Sequence, residues 1–125
     1  MLISVLNCTL DPELRGLRAA VLMLRHCAIV SPETPRDAIQ EMEKRNFDVL
    51  LLCYQFSDAI RDRLCGEFRR LCPDGRIVGI VHTGTESPVY SADLTVSSQD
   101  PEGMLAAVTG TGKLLHFPRI RKIPN

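Results

Sequence analysis

The chain has 125 residues, a length that suits one domain and leaves no room for a second with its own core. Fifteen basic side chains balance fifteen acidic ones, so no global field argues for direct nucleic-acid or membrane binding. With no Trp, four Phe and two Tyr, the core must come from Leu, Ile, Val and Ala. No run is long or apolar enough to span a bilayer, and no basic-then-apolar leader opens the sequence. Five cysteines, Cys8, Cys27, Cys53, Cys65 and Cys72, are odd in number and lack C-x-x-C spacing. Free thiols in a cytoplasmic protein are the expectation.

Leu2 to Leu6 reads as a strand covered on both faces. Asp11-Pro12-Glu13 then has the form of a helix start: an N-cap, a proline at the first helical position and a carboxylate in the first turn. Leu14, Leu17, Val21 and Leu24 recur at helical spacing, which predicts one core-facing stripe on a helix ending near His26. Cys27 to Val30 suits a second strand. Thr34-Pro35 repeats the cap-then-proline signal, with Ala38, Ile39 and Met42 on the inward face of a helix ending around Asn46.

Val49 to Cys53 is the clearest strand. Ser57 caps a helix carrying Ile60, Leu64, Phe68 and Leu71 on one side, and Pro73-Asp74-Gly75 stops it. Ile77 to Val81 is a fourth strand. Thr83 to Pro88 has no helical period and contains two breakers. A short strand from Asp93 to Val96 precedes Asp100-Pro101-Glu102, the third helix start of this kind. Met104, Leu105 and Val108 face inward there, and Gly110 stops the helix. Residues 1–110 are read as the domain and 111–125 as a basic C-terminal tail.

Strands alternating with helices predict an α/β fold, a doubly wound five-stranded parallel sheet of the flavodoxin-like order 2-1-3-4-5. Ligands of such sheets sit beyond the carboxyl ends of the first, third and fourth strands. That rule selects Cys8 to Asp11, Cys53 to Ser57 and His82 to Gly84.

Three phrases in that frame resemble the receiver domains of response regulators. Phe47 to Asp58, FDVLLLCYQFSD, is similar to "YDLVLLDLMMPD". Ala92 to Glu102, ADLTVSSQDPE, is similar to "ADDYLTKPFDPE" with one residue fewer, and Asp11 to Arg15, DPELR, to the end of "DDDPELR". The likeness runs in order from about residue 2 to residue 110. It implies Mg²⁺ on an acidic pair after the first strand and a nucleophilic Asp ending the third. It also implies a Thr or Ser after the fourth strand and a Lys after the fifth, both on the phosphoryl group.

Each role meets a different residue here. The acidic pair falls on Thr9 and Leu10, leaving only Asp11. The nucleophile position is Cys53. The switch hydroxyl falls on Val81, with His82 and Thr83 following, and the Lys position is Ser97. Ten residues separate His82 from Asp93, against roughly eleven for a mean helix, so the receiver's fourth helix is expected to be missing or vestigial.

The resemblance therefore implies a phosphorylation-independent pseudo-receiver. This is a protein-interaction module of bacterial two-component signal transduction, not an enzyme and without a cofactor. The expected surface for a protein partner or homodimer is the region of the fourth strand, fifth strand and fifth helix, with Val89, Tyr90 and Leu94 at its centre. An alternative is a thiol- or metal-based sensor formed by Cys8, Cys53 and His82, whose plainer reading is a buried filler thiol and a loop histidine. A second alternative is a small enzyme on a flavodoxin-like scaffold, which lacks any triad or carboxylate pair. Arg15, Arg18 and Arg25, like Arg61, Arg63, Arg69 and Arg70, read as solvated helix faces or as contacts for an acidic partner. Gly110-Thr111-Gly112-Lys113 fails as a phosphate loop because it follows a helix and lacks the first glycine.

Overall fold

A computed structural model of the chain describes residues 2–82 and 92–110. The elements in order are β1 (Ile3–Cys8), α1 (Pro12–Met23), β2 (Cys27–Val30), α2 (Pro35–Lys44) and β3 (Val49–Cys53). They continue with α3 (Asp58–Leu71), β4 (Arg76–Val81), β5 (Leu94–Ser97) and α4 (Pro101–Thr109). All five strands are parallel in the order β2-β1-β3-β4-β5, as the alternation of elements predicts. The four helices among the described residues match a receiver-like arrangement with its fourth helix missing or vestigial. Residues 82–93 alone link β4 to β5.

Local chemistry explains the helix starts. The side chains of Asp11, Thr34, Ser57 and Asp100 accept hydrogen bonds from the backbone N–H groups of Glu13, Asp37, Ile60 and Gly103. Pro12, Pro35 and Pro101 follow three of these caps, where the missing N–H has no helical partner to lose. Gly110 ends α4 in the left-handed conformation at φ 79°.

Alternation along the central strand divides the core. Leu50 and Leu52 join Leu6, Ile77, Leu64 and Phe68 beneath α2 and α3. Val49 and Leu51 join Val5, Val78, Leu22 and Val108 beneath α1 and α4. Every residue of β3 is buried, as expected of a strand with helices on both sides.

The structure corrects the predicted stripe of α1. Arg18 and Leu22 point inward, Leu14 and Val21 sit half-buried on the shoulder, and Leu17 and Leu24 are exposed. The cause lies in the sheet below, where the end of β1 presents Asn7 and Thr9 and a polar partner matches them better than leucine. The helix also ends at Met23, not at His26. His26 takes the left-handed conformation at φ 62° in the turn that follows, and its N–H donates to the Met23 carbonyl. Arg69, read as a solvated face or a contact for an acidic partner, forks onto Asp93 of its own chain at 3.0 and 3.1 Å, and that carboxylate also accepts the Ile77 N–H. The fork fastens the entry of β5 to α3.

Candidate functional site

Parallel registry brings the selected residues to one rim of the sheet. Cys8 pairs with Leu52 one position before Cys53, Cys53 pairs with Ile80 one position before Val81, and Val81 pairs with Ser97. Adjacent strands lie about 4.8 Å apart, so Thr9, Cys53, Val81 and Ser97 share that rim.

The β1 corner is filled by a polar network. Thr9, 1% exposed, donates from its hydroxyl to Asn7 Oδ1 at 2.9 Å and accepts from Arg18 Nη1 at 3.1 Å. Asn7 Nδ2 donates to the Arg15 carbonyl and to Ser31 Oγ, and Arg15 returns a bond to the Thr9 carbonyl. Leu10 is exposed, and the Asp11 carboxylate caps α1. A guanidinium thus occupies this corner.

The thiol of Cys53, fully buried, donates to Gln55 Oε1 at 3.7 Å, and the same oxygen accepts the Asp11 N–H at 3.2 Å. Gln55 therefore ties the end of β3 to the start of α1. Its place just after an apolar strand is the one sequence signal for that role. Arg61 donates to the carbonyls of Tyr54 and Phe56 and holds the loop closed.

Just past β4, the carbonyl of His82 accepts from Ser97 Oγ at 3.0 Å, while the His82 ring lies 5.4 Å from that of Tyr54, tilted by 41°. Ser97 is consequently a clasp between β4 and β5. Thr83, Val89 and Tyr90 lie outside the described residues, as does the tail 111–125. Leu94 is half-buried and packs against the core under α1 and α4.

Burial pushes the Cys8 thiol up to about 12, with Cys65 nearby adding to the rise. Burial likewise raises Cys65, to about 11. At neutral pH both are protonated and poor nucleophiles. Among the described residues, no three His, Cys, Asp or Glu side chains gather where they could hold a metal ion. Cys8, Cys53 and His82 sit on neighbouring strand ends without forming such a group. Arg18, read from the sequence as a solvated face or a contact for an acidic partner, is instead buried, since nothing in a helical pattern distinguishes an arginine that turns inward from one that faces water.

No protein-family model matches the chain, and no curated protein matches it. Solved structures do. A CheY-like response regulator receiver domain from Methanospirillum hungatei superposes with a TM-score of 0.74 at 13% identity, over 88% of this chain and 93% of that one. A receiver from Vibrio parahaemolyticus gives 0.73 at 16% identity, over 87% and 88%. A response regulator from Burkholderia pseudomallei, described with a phosphorylated aspartic acid and a calcium ion, gives 0.67 at 18% identity. There the match covers 85% of this chain and 66% of that one.

The fold is the flavodoxin-like fold of CheY-like receiver domains.

A further match, at 0.64 and 19% identity over 78% of this chain and 86% of that one, comes from a complex of a histidine kinase with a response regulator. No helix among the described residues is long and apolar enough to cross a membrane.

Proposed function

We propose that the chain is a pseudo-receiver, a cytoplasmic, non-enzymatic interaction module of bacterial signal transduction that works without aspartyl phosphorylation. The observation that carries this reading is Cys53. At the end of β3 it is fully buried and bonded to Gln55, in the place where a receiver needs a carboxylate to attack phosphorus. Arg18 and Thr9 at the neighbouring strand end support it, because a cation and a hydroxyl offer no site for Mg²⁺.

Residues 1–110 are the domain and 111–125 a basic tail. The partner is a protein, or a second copy of the chain, engaging the region of β4, β5 and α4 around Leu94, Val89 and Tyr90. That a matched receiver fold is found with a histidine kinase supports a protein partner.

The test is exposure of the whole chain to acetyl phosphate or beryllofluoride with Mg²⁺. Unchanged intact mass and unchanged amide spectra are expected. An acyl-phosphate adduct on any aspartate overturns the reading.

A further inference from the structure

Between α1 and α4, over the end of β4, lies a cleft of about 190 Å³. Leu14, Leu17, Val21, Ile80 and Met104 make most of its wall, and Arg18 lines it as well. Arg18 is unusual in its surroundings. It is only 6% exposed, its hydrogen bond is to the neutral Thr9 hydroxyl, and no ion pair among the described residues includes it. A guanidinium so largely buried, hydrogen-bonded to a neutral hydroxyl and in no ion pair, gains from an anion brought to the surface it keeps.

We propose that the cleft binds a small amphipathic monoanion, a carboxylate on a short apolar tail. The carboxylate pairs with Arg18 and the tail lies against Leu17, Val21 and Met104. Two features set the ligand class. The size suits about six carbons, since a cavity of roughly 150 Å³ admits benzene. The Asp100 carboxylate also lines the cleft, where it accepts the Gly103 N–H, and its negative charge selects a single anionic group over a phosphate or dicarboxylate. This site does not depend on the phosphorylation reading, and an acyl-phosphate adduct would leave it standing.

The experiment uses the whole chain with methyl-labelled methionine, followed by NMR during titration with hexanoate, hexan-1-ol and hexylamine. Met104 lines the cleft, while Met42, on α2, is buried in the other core and serves as the control. Hexanoate is expected to shift Met104 saturably, leave Met42 in place, and bind about tenfold or more tighter than hexan-1-ol, as a charge-assisted hydrogen bond requires. Hexylamine is expected to bind weakest. In Arg18→Met the preference for hexanoate over hexan-1-ol should vanish. Equal binding of acid and alcohol by the unaltered chain overturns the proposal, as does a Met104 signal that no concentration of hexanoate shifts. So does an Arg18→Met protein that retains the preference. Should Arg18→Met fail to fold, the comparison of the three ligands on the unaltered chain still decides.

Discussion

Under α2 and α3 the sheet is sealed by Leu6, Leu50, Leu52, Ile77 and Phe68, whereas under α1 and α4 it buries Asn7, Thr9 and Arg18 and leaves Leu17 59% exposed outside. The first face follows the ordinary logic of a parallel sheet, in which apolar strands meet apolar helix stripes. The second has an apolar core of its own, with Val5, Leu22, Val49, Leu51, Val78 and Val108 buried, but at the end of β1 it sends a cation inward and leaves leucines outward. Stability should therefore be insensitive to Arg18 and Leu17 at that end, while their identity should be read out in binding.

The largest effect should come from the first face. Phe68 is fully buried in the α2–α3 core, and its ring reaches to within 2.5–2.7 Å of where a Gly75 Cβ would stand. Phe68→Ala is expected to cost about 3–5 kcal/mol in denaturant unfolding. Gly75→Ala, which overpacks the same contact and also crowds the Phe47 carbonyl, should cost about 1–3 kcal/mol. Arg18→Met on the other face should leave stability unchanged or raise it, because a methionine of similar length carries no charge to desolvate. If Arg18→Met destabilises as much as Phe68→Ala, the contrast between the faces is wrong and the arginine is a structural keystone.

The same contrast explains what was legible in the sequence. Asp11-Pro12, Thr34-Pro35 and Asp100-Pro101 are local signals, decided by backbone chemistry within one turn, and all three mark real helix starts. The continuous apolar run of β3 likewise needs no partner to be recognised. The direction of α1 is different. Leu14, Leu17, Val21 and Leu24 have the spacing of a buried stripe, yet which side of a helix meets the sheet depends on what the sheet offers. Asn7 and Thr9 make that offer from another element. The rim at the carboxyl ends of the strands was legible because its residues end strands. The Arg18–Thr9 contact and the Gln55 bridge were not, because side-chain pairing across elements leaves no periodic trace.

Alkaline pH provides a smaller probe of the sealed face. The folded chain holds the Cys8 proton up to about 12, against 9.0 for a free thiol. Below pH 9 native and unfolded chains both keep that proton, and its contribution to stability is complete. Between 9 and 12 the unfolded chain releases it first, so stability falls as pH rises, by up to about 1.4 kcal/mol per pH unit for this thiol. Cys8→Ala should remove that share of the slope in urea titrations at pH 9 to 11. An unchanged slope in the variant would mean that Cys8 is reached by water in the native state.

The smallest expected effect concerns Leu17 of α1 and Leu24 just past its end, 59% and 78% exposed. A leucine that remains in water on folding gains little transfer free energy, and glutamine has nearly the same helix propensity. Leu17→Gln and Leu24→Gln should each change unfolding free energy by no more than about 0.5 kcal/mol. They should differ in binding, since Leu17 lines the cleft and Leu24 does not. Leu17→Gln should weaken hexanoate and hexan-1-ol by the same factor, because the lost contact is with the tail and not the charge. Leu24→Gln should alter neither. A loss of 2 kcal/mol or more in either variant, a size that about 25 cal/mol per Å² assigns to a leucine taken fully out of water, would show that these side chains are covered in solution. The second face would then be closed like the first, and its exposed leucines would belong to an interface that the isolated chain already forms.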